Sequence, residues 1–503
     1  MIKSEALIYL VNSMTTPEKK VFKIAKASST ANYSVLYTLI IRDKNINAES
    51  LRANYLSLNK GASFETSVNY LYELLLNTML ELRKEQDVYY QLFDKISKAR
   101  ILFEKSLYKE CFNMLDKVKT IAIAYENNYA LLIASRLELD YLLTLNYPGI
   151  NEKTLFHKQF KLNETLKMTQ KIHQQSALYE LLKNRMIYKG NARSEKEKTE
   201  LNDLVVSEVS IMASSNLESF EINKLHQLFQ ANYLISVGDY KSAYRSFFEL
   251  NNLLEENKHL WDDPPFYYLS TLEGILDSLR GLRNYEGMTY FISQLKNLKT
   301  SSLSFNTNVI CLIFLYELFP MLDKGAFLSS EVLMKKYDDT LLKKIHTLSL
   351  ARNAELSLNL AIIHFGLKDF RKAQKILTKI VFASKDYSYL PLYRTIRLLN
   401  LLVLYELKDF ELIARESRSI NRESQILGME YKSERKITSF VNNHNLPISV
   451  LKRERFLKKI KNDFEIIHQD VYEQQTIKHF NFLAWIESKI TRNHLSKILM
   501  NYD

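Results

Sequence analysis

The chain has 503 residues, 46% of them hydrophobic and 25% charged, with a net charge of +12. That apolar content can bury a large core and excludes a wholly disordered chain. Only 10 Gly and 7 Pro are present, where average usage would supply about 35 and about 25. Hairpins, bulges and phosphate-cradling loops need those residues, so the shortage points away from sheets and nucleotide-binding α/β folds and toward helices joined by short turns.

The N-terminal apolar run, Ala6 to Leu10 after Glu5, is too short for a signal-peptide core. Residues 1–86 read as an N-terminal helical module. "TTPEKKVFKIAKAS" starts a helix with Thr16 as N-cap and Pro17 at the first helical position. "NYSVLYTLIIRD" follows, then "NAESLRANYLSL" capped by Asn47, then the amphipathic "SFETSVNYLYELLLNTMLELRK". Such a module could be a helix-turn-helix with Ala48–Leu58 as recognition helix, or a cap on a helical solenoid. Arg52 is its only cation placed to read bases, where several are usual.

Residues 87–430 carry an internal repeat. "VGDYKSAYRSFFEL" places a small and a polar residue before Tyr240 and a small residue, Ala243, one turn after it. The pattern returns at Tyr285/Met288, Phe327/Ser330, Phe370/Ala373 and Phe410/Ile413, with spacings of 45, 42, 43 and 40 residues. It also occurs at Tyr108/Cys111, three intervals of 44 before Tyr240, with turn-like stretches at 146–154 and 188–200 between. One helix should end at Gly238 or Gly366 in the left-handed conformation. Asp239, Asn284, Asp369 or Asp409 should cap the next. The aromatic enters the inter-helix groove, the small residue permits close approach, and Phe247, Ile292 or Leu377 continues the apolar stripe. A hairpin of this kind cannot bury its apolar face alone and must stack on neighbours.

"GDYKSAYRSFFEL" and "LKDFRKAQKILTKI" resemble the second-helix region of tetratricopeptide (TPR) repeats, over about residues 95–430, although the family period is 34 and this one is near 43. The resemblance implies a right-handed superhelical α-solenoid of TPR-like hairpins. No Lys/Asn/Arg set matches the peptide-carboxylate clamp of some family members. The N-terminal Thr15-x-x-Glu18-Lys19-x-x-Phe22 pattern and the C-terminal "FNFLAWIESKI" are also similar to a group of roughly 500-residue uncharacterised bacterial TPR-like proteins, a resemblance that implies no activity.

Residues 431–503 read as C-terminal capping helices. Within "VLKRERFLKKIKNDFEII", Lys452, Arg453, Arg455, Lys458, Lys459 and Lys461 form a basic patch beside the apolar stripe Leu457, Ile460, Phe464 and Ile467. A solvated capping face, a nucleic-acid phosphate contact, an acidic protein partner and a membrane surface are the four readings. The densest apolar run, Val309 to Phe319, is interrupted by Glu317 and reads as falling short of a membrane span.

No phosphate-loop, dinucleotide, zincin, C-x-x-C or nucleophile-elbow motif occurs. Cys111 and Cys311 lie in apolar helical contexts as small buried hydrophobes, consistent with a reducing, cytoplasmic compartment. His364 reads as a packed helix-end histidine, and His468 and His479 are too far apart on one helix to share a metal. Asp263 before Pro264 reads as an N-cap. The expectation is a protein with no catalytic residues, cofactor or metal.

Aromatic, Arg and Asn side chains on the first helix of each hairpin are the candidate partner contacts: Asn232, Arg352, Asn359, Tyr393, Arg394, Arg397 and Asn400. The favoured expectation is a protein-interaction scaffold or adaptor. The alternative is a nucleic-acid-associated or transcription-regulating protein using either end, and the third is a peptide-sensing signalling regulator.

Overall fold

The structure, a computed structural model, describes residues 3–25, 32–59, 63–190, 195–213, 219–427, 432–443, 449–470 and 478–501, together with 61, 192 and 473. The described residues form helices and turns, with no strand among them. The chain divides into two compact units, 1–170 and 171–503.

The first unit begins with α1 (Lys3–Ser13), α2 (Thr16–Ala25), α3 (Asn32–Arg42), α4 (Ala48–Leu58) and α5 (Phe64–Gln86). Helices α1 to α4 pack on α5 or on one another around Leu7, Phe22, Leu36, Leu51, Tyr55 and Leu71, all fully buried. The Tyr55 hydroxyl meets Ser67 Oγ at 2.7 Å, so the ring can lie in the core with its polar tip satisfied. Asn47 caps α4 as expected, accepting from the Ser50 N–H at 2.7 Å. At α2 the cap falls one residue earlier than expected. Thr15 Oγ1 accepts from the Glu18 N–H (3.4 Å) while Glu18 Oε2 accepts from the Thr15 N–H (2.7 Å). That reciprocal box needs a Glu three residues after the cap, which Thr15 has and Thr16 lacks.

A second cluster comes next, built by α6 (Val88–Glu104), α7 (Tyr108–Ala124) and α8 (Asn128–Thr144) around Leu92, Cys111, Leu115, Val118 and Ala134. The boundary between the two units falls within α9 (Glu152–Lys189).

The second unit continues through α10 (Glu195–Thr199), α11 (Asn202–Ala213), α12 (Phe220–Ser236), α13 (Tyr240–Glu256), α14 (Phe266–Gly281), α15 (Tyr285–Asn297), α16 (Leu303–Asp323) and α17 (Phe327–Lys336). Then come α18 (Leu350–Gly366), α19 (Phe370–Phe382), α20 (Ser384–Tyr387), α21 (Pro391–Leu407), α22 (Phe410–Leu427), α23 (Lys432–Asn442), α24 (Val450–Gln469), α25 (Phe482–Thr491) and α26 (Leu495–Leu499). From α12 to α19 each helix packs on the next, and α12, α14, α16, α18, α21 and α23 also pack on one another in that order. These six therefore form a continuous inner row, and α16 buries residues all round its circumference, including Cys311, Leu312, Phe314, Leu315 and Leu318. By length and composition α16 could cross a membrane, contrary to the expectation from its apolar run, because the helix extends well beyond that run; 67% of the window is buried inside the fold.

Every motif aromatic opens a helix. Tyr108, Tyr240, Tyr285, Phe327, Phe370 and Phe410 are the first residues of α7, α13, α15, α17, α19 and α22. The residue two before each has positive φ: Ser106, Gly238, Arg283, Gly325, Lys368 and Lys408, between 55° and 82°. Asp239, Asn284, Asp369 and Asp409 cap as expected, each accepting from the N–H three residues on. The residue three after each ring, small at Cys111, Ala243, Ser330 and Ala373 but larger at Met288 and Ile413, is buried in all six cases.

Gly366 departs from expectation. Lys368 takes the left-handed position, and Gly366 lies inside α18, where a β-carbon would stand 2.2 Å from the Phe327 ring. Gly281 does the same for Tyr240, at 2.6 Å. Between these two, the Tyr285 hydroxyl donates to Asp323 at 2.6 Å. Gly281, Asp323 and Gly366 each stand four residues before the next motif aromatic. Each ring is thus received by the end of the next hairpin's first helix, which is how neighbouring hairpins are held in register.

Candidate binding site

Two open cavities in the 171–503 unit share a wall. The larger, about 680 Å³, is framed by Tyr240, Tyr285 and Phe327 at the starts of α13, α15 and α17 and closed by residues 478–481. The smaller, about 380 Å³, has Arg352, Arg394, Glu273, Glu355 and Glu434 on its lining. Tyr240, Lys478 and His479 line both.

The chain enters this region through contacts of very long sequence separation. Lys478 Nζ pairs with Asp277 of α14 at 2.5 Å, and its carbonyl accepts from the Arg280 guanidinium at 3.1 Å. Phe480 meets Phe365 of α18 edge-on at 5.6 Å. Asn481 then caps α25, whose buried Trp485 donates its indole N–H to Glu406 of α21 at 2.8 Å. Burial pushes the Asp277 carboxyl up, but Lys478 and then Arg280 outweigh it and leave the group below its ordinary value. Burial, then the Arg280 and Lys478 charges, push the His479 imidazole down to about 3, so the ring is neutral near pH 7. Its Nδ1 is buried with no hydrogen-bond partner among the described residues.

On the smaller cavity Arg352 bridges Glu273 and Glu355, both at 2.6 Å, and donates through Nε to Asn308 at 3.2 Å. Burial opposes the charge on Arg352, yet Glu273 and Glu355 hold its pKa well above the usual range. Arg394 pairs with the buried Glu434 of α23. Lys183 of α9 donates to Asn232 Oδ1 at 3.2 Å, and burial lowers its pKa.

The fold brings two of the sequence-selected residues, Arg352 and Arg394, onto one cavity wall. Arg397 instead pairs with Glu416 (2.6 Å) and Glu423 of α22. Asn232, Asn359, Tyr393 and Asn400 are buried, with Asn232 and Asn359 donating to the carbonyls of Leu228 and Glu355. On α24, Lys452, Arg455, Lys458 and Lys459 are exposed, Arg453 is half-buried, and Lys461 pairs with Glu487 of α25 at 2.8 Å.

Other single expectations resolve simply. Cys111 and Cys311 are buried and unpaired, and burial pushes the Cys311 thiol up to about 12. His364 is half-buried at the end of α18 with its pKa lowered by burial. The helix after Asp263–Pro264, a cis bond, begins at Phe266 with Pro265 at the cap position, so Asp263 is not its N-cap. Among the described residues no group of three His, Cys, Asp or Glu is placed to hold a metal.

In the first unit a cavity of about 580 Å³ lies beside Tyr108, Phe112, Leu142 and Pro148. Glu138 on its wall accepts from Lys119 and Lys158, each at 2.8 Å.

The chain matches no protein-family model and no curated protein.

Sequence reasoning missed Asp277, Arg280 and Lys478. A signal was present for two of them. Asp277 and Arg280 are charged residues one turn apart in the largely apolar "ILDSLRGL", immediately before a motif turn. Lys478 carried none, because its partner lies 201 residues away.

Proposed function

We propose that the chain is a non-enzymatic, cytoplasmic scaffold, a solenoid of TPR-like hairpins with a period near 43, that holds a segment of a partner protein. The observation that carries this reading is the larger cavity, where the rings opening three successive second helices converge on one open surface. Aromatic and Arg side chains at an open concavity are the residue types that anchor protein partners. The test is site-specific photo-crosslinking in cells with the reactive group at Tyr285. The expected result is one dominant protein adduct that is absent when the same group replaces exposed Phe382. Equal, diffuse labelling at both positions would reject the reading.

A nucleic-acid role is the second reading, favoured by four exposed cations, Lys452, Arg455, Lys458 and Lys459, on one helix. Phosphate contacts through these residues would make binding steeply salt-dependent. Replacing all four with Gln would flatten the slope by about 0.9 for each phosphate no longer neutralised. An unchanged slope would discard this reading.

A further inference from the structure

The larger cavity is strongly basic. Arg280, Arg283, Lys324 and Lys478 line it against one carboxylate, Asp323, which already accepts the Tyr285 hydroxyl. Arg280 is only 6% exposed and lies over the Phe319 ring, 3.3 Å from its centroid. The nearby carboxylate Asp277 is engaged by Lys478, so two cations share one anion. A buried cation without its own counter-charge is costly unless an anion arrives from outside. Arg283 and Lys324 complete the set at the turns before α15 and α17. Both are exposed, and neither has a carboxylate partner among the described residues.

A surplus of two positive charges, four cations against Asp323 and Asp277, matches a dianion better than a single carboxylate; a phosphate monoester carries about −1.5 to −2 at neutral pH, and arginine's planar fork matches its oxygens. The volume, about 680 Å³, exceeds what one phosphate fills, and Tyr240, Tyr285 and Phe480 present rings on the rest of the wall beside His479 and Asn481. We propose that this cavity binds a phosphate monoester carrying a planar aromatic ring, with Arg283 and Lys324 gripping the phosphate beside the buried Arg280. The proposal is independent of the scaffold reading, since the crosslinking experiment can fail while phosphate binding holds.

The test is calorimetric titration of the full chain at constant ionic strength with AMP, adenosine and inorganic phosphate. AMP is expected to bind one per chain, with adenosine at least about tenfold weaker, as the loss of one charge-assisted contact predicts. The double variant Arg283→Asn with Lys324→Gln should weaken AMP by about tenfold or more. Both residues are exposed and Asn tolerates the positive φ at position 283, so ligand-free melting should be unchanged. Inorganic phosphate binding as tightly as AMP would overturn the role given to the rings and reduce the cavity to a site for free phosphate. AMP binding that equals adenosine, that ignores the double variant, or that is absent at millimolar concentration would overturn the proposal.

Discussion

At the scale of single residues, burial and neighbouring charge decide what each group does. His479 is a neutral imidazole next to two cations, with its pKa near 3 when folded and about 6.5 when unfolded. A depressed histidine pKa means that the unfolded chain binds the proton first. Stability is therefore full above pH 6.5 and falls as pH drops toward 3, by at most about 1.4 kcal/mol per pH unit from this group. Denaturant titrations between pH 7.5 and 5 should show this slope, and His479→Phe should reduce it; an unchanged slope would remove His479 as the cause. The glycines under the rings make a second prediction. Gly281→Ala places a methyl group 2.6 Å from Tyr240, a stiff ring with no flexible end to yield. The cost should be about 1–3 kcal/mol. Pairing it with Tyr240→Leu should recover part of that loss in a double-mutant cycle.

At the scale of elements, the turns are the repeated device: a left-handed residue, a capping side chain and a ring at the first helical position. Asp239, Asn284, Asp369 and Asp409 do the same work in separate turns. Asp239→Ala and Asp369→Ala should each cost about 1 kcal/mol. Their effects should add within about 0.5 kcal/mol, since the two turns share no residue. Equilibrium unfolding of the two single variants and the double checks this, and strong non-additivity would mean that the turns are coupled through the inner row of helices. Asp239, Asn284, Asp369 and Asp409 were legible in sequence because capping is local, needing only a side chain and an amide three residues away. The residue type marks the left-handed position only where it is glycine, at Gly238 and Gly325, and of these Gly238 was the one expected from sequence. Lys368 and Lys408 adopt the same conformation against their own preference, because the packed hairpin over-determines the turn.

At the scale of the whole molecule, the two compact units have separate cores, and the first unit's N-terminal cluster is built from its own five helices. Leu71→Ala, at a fully buried position of α5, should cost about 2–5 kcal/mol. Amide exchange should then accelerate through residues 3–86 and leave α14, α16 and α18 protected, because cooperative openings follow local cores. Accelerated exchange throughout residues 171–503 would show instead that the chain unfolds as one unit.

The all-helical class, the six turns with a ring opening the next helix and the burial of Ala243, Ser330 and Ala373 followed from the sequence itself. Composition, capping and helical periodicity act over a few residues and leave their mark there. Only the tertiary structure decided that Arg352, Arg394 and Arg397 meet carboxylates of other helices, that Gly366 serves as a seat for Phe327, and that Lys478 returns to Asp277 to wall the cavities. Those pairings join residues 19 to 201 positions apart. No local preference records such a distance, because the energy that selects it comes from burial and charge neutralisation, which exist only once the helices have stacked.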